Sequence, residues 1–243
     1  MKATLLILFF AICTGSHSQI SFTIGHRSAT SNCNGAGVVG ISISDIAFTE
    51  GRLYILTVWS DSSNNFATLS GVSETFTPIA QLGGFSRKLS VYRMMPTATT
   101  TTQDLTINWS FGNFPAYVNV TISEISGVPI GSNGENAIRQ IVIDSNTSAD
   151  PVLTFSGMGN SSAVFSAFEN GRNPFGGTPE SGWTENADGG CATFSGSSYI
   201  HGAYIMSRTS TNDNTATVTA TSSTWRGIGL LFNPSRRATS ITN

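Results

Sequence analysis

Short runs of apolar and β-branched residues, separated by turn residues, recur along almost the whole of this 243-residue chain. Residues 118–123 (VNVTIS) alternate strictly, so that Val118, Val120 and Ile122 share one face of an extended strand. A period of two residues is the pattern of a half-buried strand. About eleven to thirteen such runs occur, at the spacing of a sandwich or barrel. We therefore predict an all-β chain that forms a single two-sheet β-sandwich, of jelly-roll or immunoglobulin-like type.

Two of the runs do not alternate. Residues 52–59 (RLYILTVW) are apolar on both faces, which favours a central strand. Residues 163–168 (AVFSAF) have an ambiguous period. Pro78 removes a backbone donor from the run 75–82, which is therefore expected to be an edge strand or a bulged one.

The first eighteen residues have the layout of a secretory signal peptide. Lys2 gives a positive start, residues 5–12 (LLILFFAI) are apolar, and residues 14–18 are small or polar, with a cut expected before Gln19. The apolar run is shorter than the roughly 20 residues that a membrane-spanning helix needs. We predict a secreted protein, or one on the extracellular surface, with no membrane span. The alternative is that these residues form a buried N-terminal strand or helix.

The remainder divides by composition. Residues 19–37 are rich in Ser, Asn and Gly and are predicted to form an N-terminal arm, 38–233 the sandwich domain, and 234–243 a flexible tail. No linker and no internal repeat is visible in the sequence. Charged residues make up 11% of the chain and its formal net charge is −2, which leaves no basic footprint for nucleic acid.

Two cysteines remain beyond the predicted signal peptide. Export permits a disulfide between Cys33 and Cys191, which in the chain-entropy model would add roughly 4–5 kcal/mol of stability. The sequence does not reveal the separation of their Cα atoms, so two free thiols remain the alternative.

A glycine-, asparagine- and proline-rich stretch at 169–198 contains the candidate ligand-binding residues. Sugars stack on exposed aromatic rings while polar side chains bind their hydroxyls, and aromatics in a loop are candidates for such contacts. The candidates are Trp183, Phe175, Arg172, Asn173, Glu185 and Asp188. The alternative is that Trp183 folds back to plug the end of the sandwich. Trp59, Trp109 and Trp225 lie in apolar runs and are predicted to be core.

Residues 144–150 place oxygen-bearing side chains at alternate positions, as in the first half of a calcium loop. The candidate ligands are Asp144, Asn146, Ser148 and Asp150. Ala149 stands where the turn glycine of such a loop belongs, and Asx hydrogen bonding in a turn between strands explains the run equally well. Structural calcium is the only cofactor that the sequence suggests.

No catalytic motif is found. The chain has no G-x-S-x-G pentapeptide and no alternating βα pattern, as an α/β serine hydrolase requires. A secreted hydrolase that uses two of the fourteen acidic residues remains a weaker alternative. We predict a protein that is not an enzyme.

The order of strands and turns resembles a loosely defined group of β-sandwich domains in bacterial surface proteins and phage particles. The segments that carry the resemblance are 51–59 (GRLYILTVW), 88–96 (KLSVYRMMP), 104–109 (DLTINW), 118–128 (VNVTISEISGV), 181–185 (SGWTE) and 214–232 (NTATVTATSSTWRGIGLLF). It spans roughly 38–233. It implies a structural or adhesive module on a cell or virion surface, with a surface glycan, a protein or a second copy of the chain as partner. The alternative is a carbohydrate-binding protein that uses the stretch 169–198.

Overall fold

The computed structural model describes most of the chain after residue 18. The described residues are 19–31, 40–60, 67–84, 87–109, 117–147, 150–159, 162–170, 177–190, 202–211, 213–219 and 224–234. They form sixteen strands and a short 3₁₀ helix, Ser132–Ala137. The all-β prediction is therefore confirmed.

The strands form two units of eight. The first unit consists of β1 (Ser21–Ser31), β2 (Gly40–Ile46), β3 (Leu53–Ser60), β4 (Thr68–Ser70), β5 (Thr77–Gly84), β6 (Arg87–Met94), β7 (Gln103–Asn108) and β8 (Tyr117–Ser126). The second unit consists of β9 (Ile138–Asn146), β10 (Val152–Thr154), β11 (Ser162–Asn170), β12 (Thr178–Pro179), β13 (Thr184–Gly190), β14 (Gly202–Thr211), β15 (Thr215–Thr219) and β16 (Trp225–Phe232).

Each unit contains one five-stranded and one three-stranded sheet, and the paired strands are antiparallel throughout. In the first unit the orders are β1-β8-β3-β6-β5 and β2-β7-β4. In the second unit they are β9-β16-β11-β14-β13 and β10-β15-β12. Numbered from the start of its own unit, every strand has the same neighbours in both halves, so the fold is one eight-stranded arrangement used twice.

The four sheets stack as four layers. We call the five-stranded sheets the central sheets and the three-stranded sheets the outer sheets. One apolar core joins the central sheets, with Leu53, Ile55 and Val91 of the first unit and Phe165 and Leu230 of the second among its members. Each unit has one further core, which lies between its central sheet and its outer sheet. The prediction of a single two-sheet sandwich is therefore wrong.

The layering explains the strands that do not alternate. All eight residues of β3 and all nine of β11 are buried. One face of each strand packs against the outer sheet of its own unit and the other against the opposite central sheet. Only a strand covered on both faces needs a continuous apolar run.

A shared irregularity supports the equivalence of the units. The fifth strands begin with Thr77 and Thr184, and both bulge two residues later, between Pro78 and Ala80 and between Glu185 and Ala187. A β-bulge adds a residue to one strand and increases its twist locally. Its recurrence at the same position aligns the two units residue by residue.

Two segments differ from their predicted structure. Residues 21–31, within the predicted arm 19–37, form β1 and pair with β8 along the edge of the first central sheet. The stretch 169–198 is not one loop, because it contains the end of β11 together with β12 and β13. Residues 21–31 (SFTIGHRSATS) are rich in Ser and Thr, and residues 184–190 (TENADGG) are rich in Gly and in acidic or amide residues, which hides the apolar period in both strands.

Two glycines of β16 make room for neighbouring rings, Phe155 from the outer layer and Phe168 from the adjacent strand β11. A Cβ at Gly229 would lie 2.5 Å from Cζ of Phe155, and one at Gly227 would lie 2.8 Å from Cδ1 of Phe168. The corresponding positions of β8 are Ile122 and Val120, both buried. In the second unit, glycine on the central strand leaves space for neighbouring rings. In the first unit, the equivalent strand itself supplies the larger side chains.

Asn133 anchors the segment that connects the units. Its side chain accepts a hydrogen bond from the Met95 N–H (2.8 Å) and donates to the Thr75 carbonyl (3.1 Å) and the Thr77 hydroxyl (2.8 Å). Its φ of +49° is in the left-handed region, which Asn tolerates better than most residues. One side chain thus fixes the connector to the start of β5 and the end of β6.

We expect Asn133→Ala to lower the free energy of unfolding by about 2–3 kcal/mol, because three hydrogen bonds are lost and a part-buried N–H is left unsatisfied. Denaturant titration measures the loss. Asn136→Ala is the matched control, since this exposed side chain makes a single 3.4 Å bond to Ser132, and we expect a loss within about 0.5 kcal/mol. Equal losses in the two variants would contradict the anchoring role.

Candidate functional site

Trp183 lies in the core of the second unit. Its side chain is 7% exposed and packs in the cluster that contains Phe155, Phe168 and Trp225. The equivalent residue of the first unit is Phe76, also 7% exposed and also in a core. The candidate stacking platform is therefore corrected to a buried core residue, in agreement with the alternative that this ring plugs the sandwich. Trp59, Trp109 and Trp225 are buried, as predicted.

Glu185 and Asp188 lie on β13, beside the buried ring of Tyr204. The Tyr204 hydroxyl donates a 3.2 Å hydrogen bond to Oε2 of Glu185. Burial raises the pKa of Tyr204, and the nearby charges of Glu185 and Asp188 raise it further. The phenol therefore stays protonated and acts as a hydrogen-bond donor. The other three candidates, Phe175, Arg172 and Asn173, lie outside the described residues.

The candidate calcium ligands bind their own backbone. Asp144 Oδ1 accepts a hydrogen bond from the Ser145 N–H, and Asn146 Oδ1 accepts one from the Thr147 N–H, each at 2.7 Å. Both bonds reach the next residue and start within strand β9, whereas an Asx turn bonds the backbone two residues on, so the Asx alternative is not confirmed. Asp150 is exposed, and Ser148 lies outside the described residues. Within the part of the chain that the structure describes, no three His, Cys, Asp or Glu side chains converge as a metal site would require.

A charged cluster that the sequence analysis missed lies between the central sheets. Glu169 of β11 is completely buried. Its Oε2 lies 3.0 Å from Nη1 of Arg87, on β6 of the first unit. Its Oε1 accepts a 3.1 Å hydrogen bond from Arg226, its neighbour on β16. The carboxylate thus joins the two units through one ion pair between them and one within its own sheet.

Opposing influences act on this carboxylate. Burial raises the pKa of Glu169, while the charges of Arg87 and Arg226 and a hydrogen bond from Trp59 lower it, and the effect of burial is the larger. Taking a carboxylate out of water is expensive unless it is paired. Because the group is fully enclosed, it cannot meet a substrate, and we assign it to the joint between the units.

A signal for part of this cluster was present in the sequence. Glu169 is the penultimate residue of a nine-residue strand that is otherwise uncharged (SAVFSAFEN), and Arg226 is the single charge in WRGIGLLF. A charged side chain is almost never fully buried unless it is paired. A charge within a strand that is covered on both faces therefore indicates a buried ion pair. The sequence pattern thus identifies Glu169 and Arg226 as candidates for a buried ion pair. Arg87 could not be identified in this way, because only the packing of the two units brings it close to them.

The accessible apolar surface lies on the edge strand β9. Ile141 and Ile143 are 44% and 52% exposed. They lie opposite Leu230 and Ile228 of β16, whose side chains belong to the core between the central sheets. The edge of the second central sheet therefore carries apolar side chains beyond the region that the first unit covers.

No helix among the described residues is long and apolar enough to cross a membrane. Cys33 and Cys191 lie outside the described residues, so their disulfide stays a prediction, as does the signal peptide at 1–18.

No family model matches the chain, and neither the curated proteins nor the solved structures include a significant match to it. A function for this chain has to be argued from its own geometry.

Proposed function

We propose that this protein is a non-enzymatic structural building block that is exported to a cell or virion surface and acts through association of its sheets. The observation that carries the proposal is the double use of one eight-stranded order around a shared core. Eight-stranded double-sheet sandwiches of the jelly-roll type form viral capsid and lectin domains. Two of them fixed back to back make a thick body that presents several sheet edges.

The placement of charge supports a structural role. The chain has few charged residues, and it uses three of them in the joint between the units. A joint of this kind resists sliding of one unit over the other, because displacement would leave a buried charge without its partner. Rigidity between the units suits a subunit that transmits load or holds a fixed shape.

Export supports the same role. The layout of residues 1–18 predicts secretion, and a chain that relies on Ser, Thr, Asn and Gly for its polar surface suits an extracellular β-protein.

Native material tests the proposal. Intact mass, size-exclusion chromatography with light scattering and negative-stain microscopy on protein from its own source should show a chain that starts at Gln19 and occurs in oligomers or particles. A monomer at every concentration would contradict assembly. A native chain that still starts at Met1 would contradict export.

Carbohydrate binding is the alternative, and the burial of Trp183 argues against it. Glu185 remains exposed and could bind sugar hydroxyls, but the Trp183 ring that would stack on the sugar is buried. A glycan array on the folded protein decides. Binding that Glu185→Gln abolishes without loss of stability would establish the alternative, and an empty array would remove it.

A further inference from the structure

We infer that β9 is a self-pairing edge through which two copies of this chain join their second central sheets into one continuous antiparallel sheet. The inference rests on the proposed function and deepens it by naming the edge and the register. It starts from a comparison of the four edge strands of the central sheets, β1, β5, β13 and β9.

Three of these edges are interrupted near their middle or start. β1 bulges between Ile24 and Arg27, β5 between Pro78 and Ala80, and β13 between Glu185 and Ala187. Bulges and proline are devices by which natural sheets prevent another strand from pairing with an edge. These three strands are therefore poor templates for a second chain.

The fourth edge keeps the longest regular stretch. β9 also bulges near its start, between Ile138 and Gln140, but residues 140–146 then pair with β16 in unbroken register, whereas β5 and β13 keep only residues 80–84 and 187–190 after their bulges. This stretch contains no proline, lysine or arginine. It carries Ile141 and Ile143, which together with Ile130 are the exposed large apolar side chains among the described residues. A regular, apolar edge favours strand addition.

The occupant that fits best is a second copy of β9. A two-fold axis at Val142 would place Ile141 of each copy opposite Ile143 of the other on one face, and Gln140 opposite Asp144 beside a pair of Val142 side chains on the other face. Moving the axis to Ile141 would place Arg139 opposite Ile143, and moving it to Ile143 would place Ile141 opposite Ser145. Of these registers, only the one about Val142 pairs both isoleucines with isoleucines of the other copy, and a two-fold interface requires this self-complementarity.

The new contact would continue an interface that already exists. Ile141 and Ile143 lie on the face of the second central sheet that packs against the first unit. Two joined copies would therefore extend that apolar face across the axis as one sheet of ten strands. Because a two-fold contact closes on itself, this edge makes a dimer and not a filament.

Sedimentation equilibrium on the full chain tests the surface. Ile143→Lys should raise the dimer dissociation constant about a hundredfold, since each dimer contains the substitution twice and each copy should weaken pairing about tenfold. Ile130→Lys is the matched control, because Ile130 is 74% exposed in the connector and not on a strand, and its constant should equal that of the wild type. Unchanged melting temperatures of both variants would show that the fold is intact.

Cysteine cross-linking tests the register. Val142→Cys should form a covalent dimer on oxidation that the wild type and Ile130→Cys do not form, because the axis brings the two copies of residue 142 opposite each other. Faster cross-linking of Ile141→Cys or Ile143→Cys than of Val142→Cys would overturn the register. If the wild type assembles and Ile143→Lys leaves its dissociation constant unchanged, the β9 inference is overturned and the proposed function stands. A wild type that stays monomeric, with β9 covered by its own chain, would overturn both.

Discussion

Arg87→Met is expected to lower the free energy of unfolding by about 3–5 kcal/mol at pH 7, the effect of removing one partner from a buried ion pair. Arg87 reaches from the first unit to Glu169 of the second, 3.0 Å away, and the side chain of Glu169 is completely buried. Without Arg87 the carboxylate keeps one charged partner, Arg226. Denaturant titration at pH 7 measures the loss.

The loss should depend on pH in a defined direction. Burial already raises the pKa of Glu169, and removal of Arg87 takes away a charge that lowers it. A carboxyl with a raised pKa in the folded state favours folding below its unfolded pKa, about 4.3, and this contribution is lost as the pH rises through the folded pKa. The deficit of Arg87→Met should therefore shrink as the pH falls, because a protonated Glu169 needs no counter-charge.

Two further variants separate the pair from other effects of the arginine. The double variant Arg87→Met/Glu169→Gln should recover most of the lost stability, to within about 1 kcal/mol of the wild type, because residues in contact are not additive. Arg52→Met is the matched control, since Arg52 lies 3.8 Å from Glu124 with both side chains partly exposed, and we expect it to cost less than about 1 kcal/mol. A deficit of Arg87→Met that is equal at pH 4 and pH 7, or an additive double variant, would contradict the assignment.

The strands of the interior could be predicted because their patterns are local. Residues 53–60 and 118–125 form buried strands near the positions that the period indicates. The number of layers could not be obtained from one strand. A run that is apolar on both faces is also typical of a central strand, yet in a two-sheet sandwich the second face of each strand meets solvent. Two such runs, at 53–59 and 163–168, are what a four-layer stack requires.

The duplication could not be predicted from the sequence, because the two units form the same strand order with different residues. Aligned through their shared neighbours, Leu53–Ser60 corresponds to residues 163–170, and no position in this pair of strands is identical. Burial and strand order constrain the size and polarity of each layer as a whole, and a core tolerates exchange of volume between neighbours. Gly229 against Phe155 in one unit and Ile122 in the other illustrate such an exchange.

The candidate site could be predicted in part. The side-chain oxygens of Asp144 and Asn146 bind nearby backbone, as a local pattern can indicate, but the extension of strand β9 to Asn146 could not be predicted from it. The position of Trp183 could not be decided, because a glycine-rich flank hides the strand that follows it. The equivalence with Phe76 becomes visible only after the bulges of β5 and β13 are aligned.

Trp183→Ala is expected to lower the free energy of unfolding by about 3–5 kcal/mol, as truncation of a large buried aromatic does. The side chain is 7% exposed and packs against the core between the second central sheet and its outer sheet. Phe76→Ala should cost a similar amount, because Phe76 occupies the equivalent position of the first unit. Denaturant titration followed by circular dichroism avoids relying on the fluorescence of the residue that is removed.

Trp183→Phe provides the control that separates packing from recognition. A phenyl ring fills the equivalent position of the first unit, so this variant should retain more than half of the stability that Trp183→Ala loses. A ring that served as a sugar platform would behave differently. Its truncation would weaken binding on a glycan array and leave the unfolding transition within about 0.5 kcal/mol of the wild type, as substitutions at exposed positions do. That outcome would place Trp183 at the surface and favour carbohydrate binding over the structural role. A large loss shared with Phe76→Ala would instead place Trp183 and Phe76 in equivalent structural roles, one for each copy of the repeated fold.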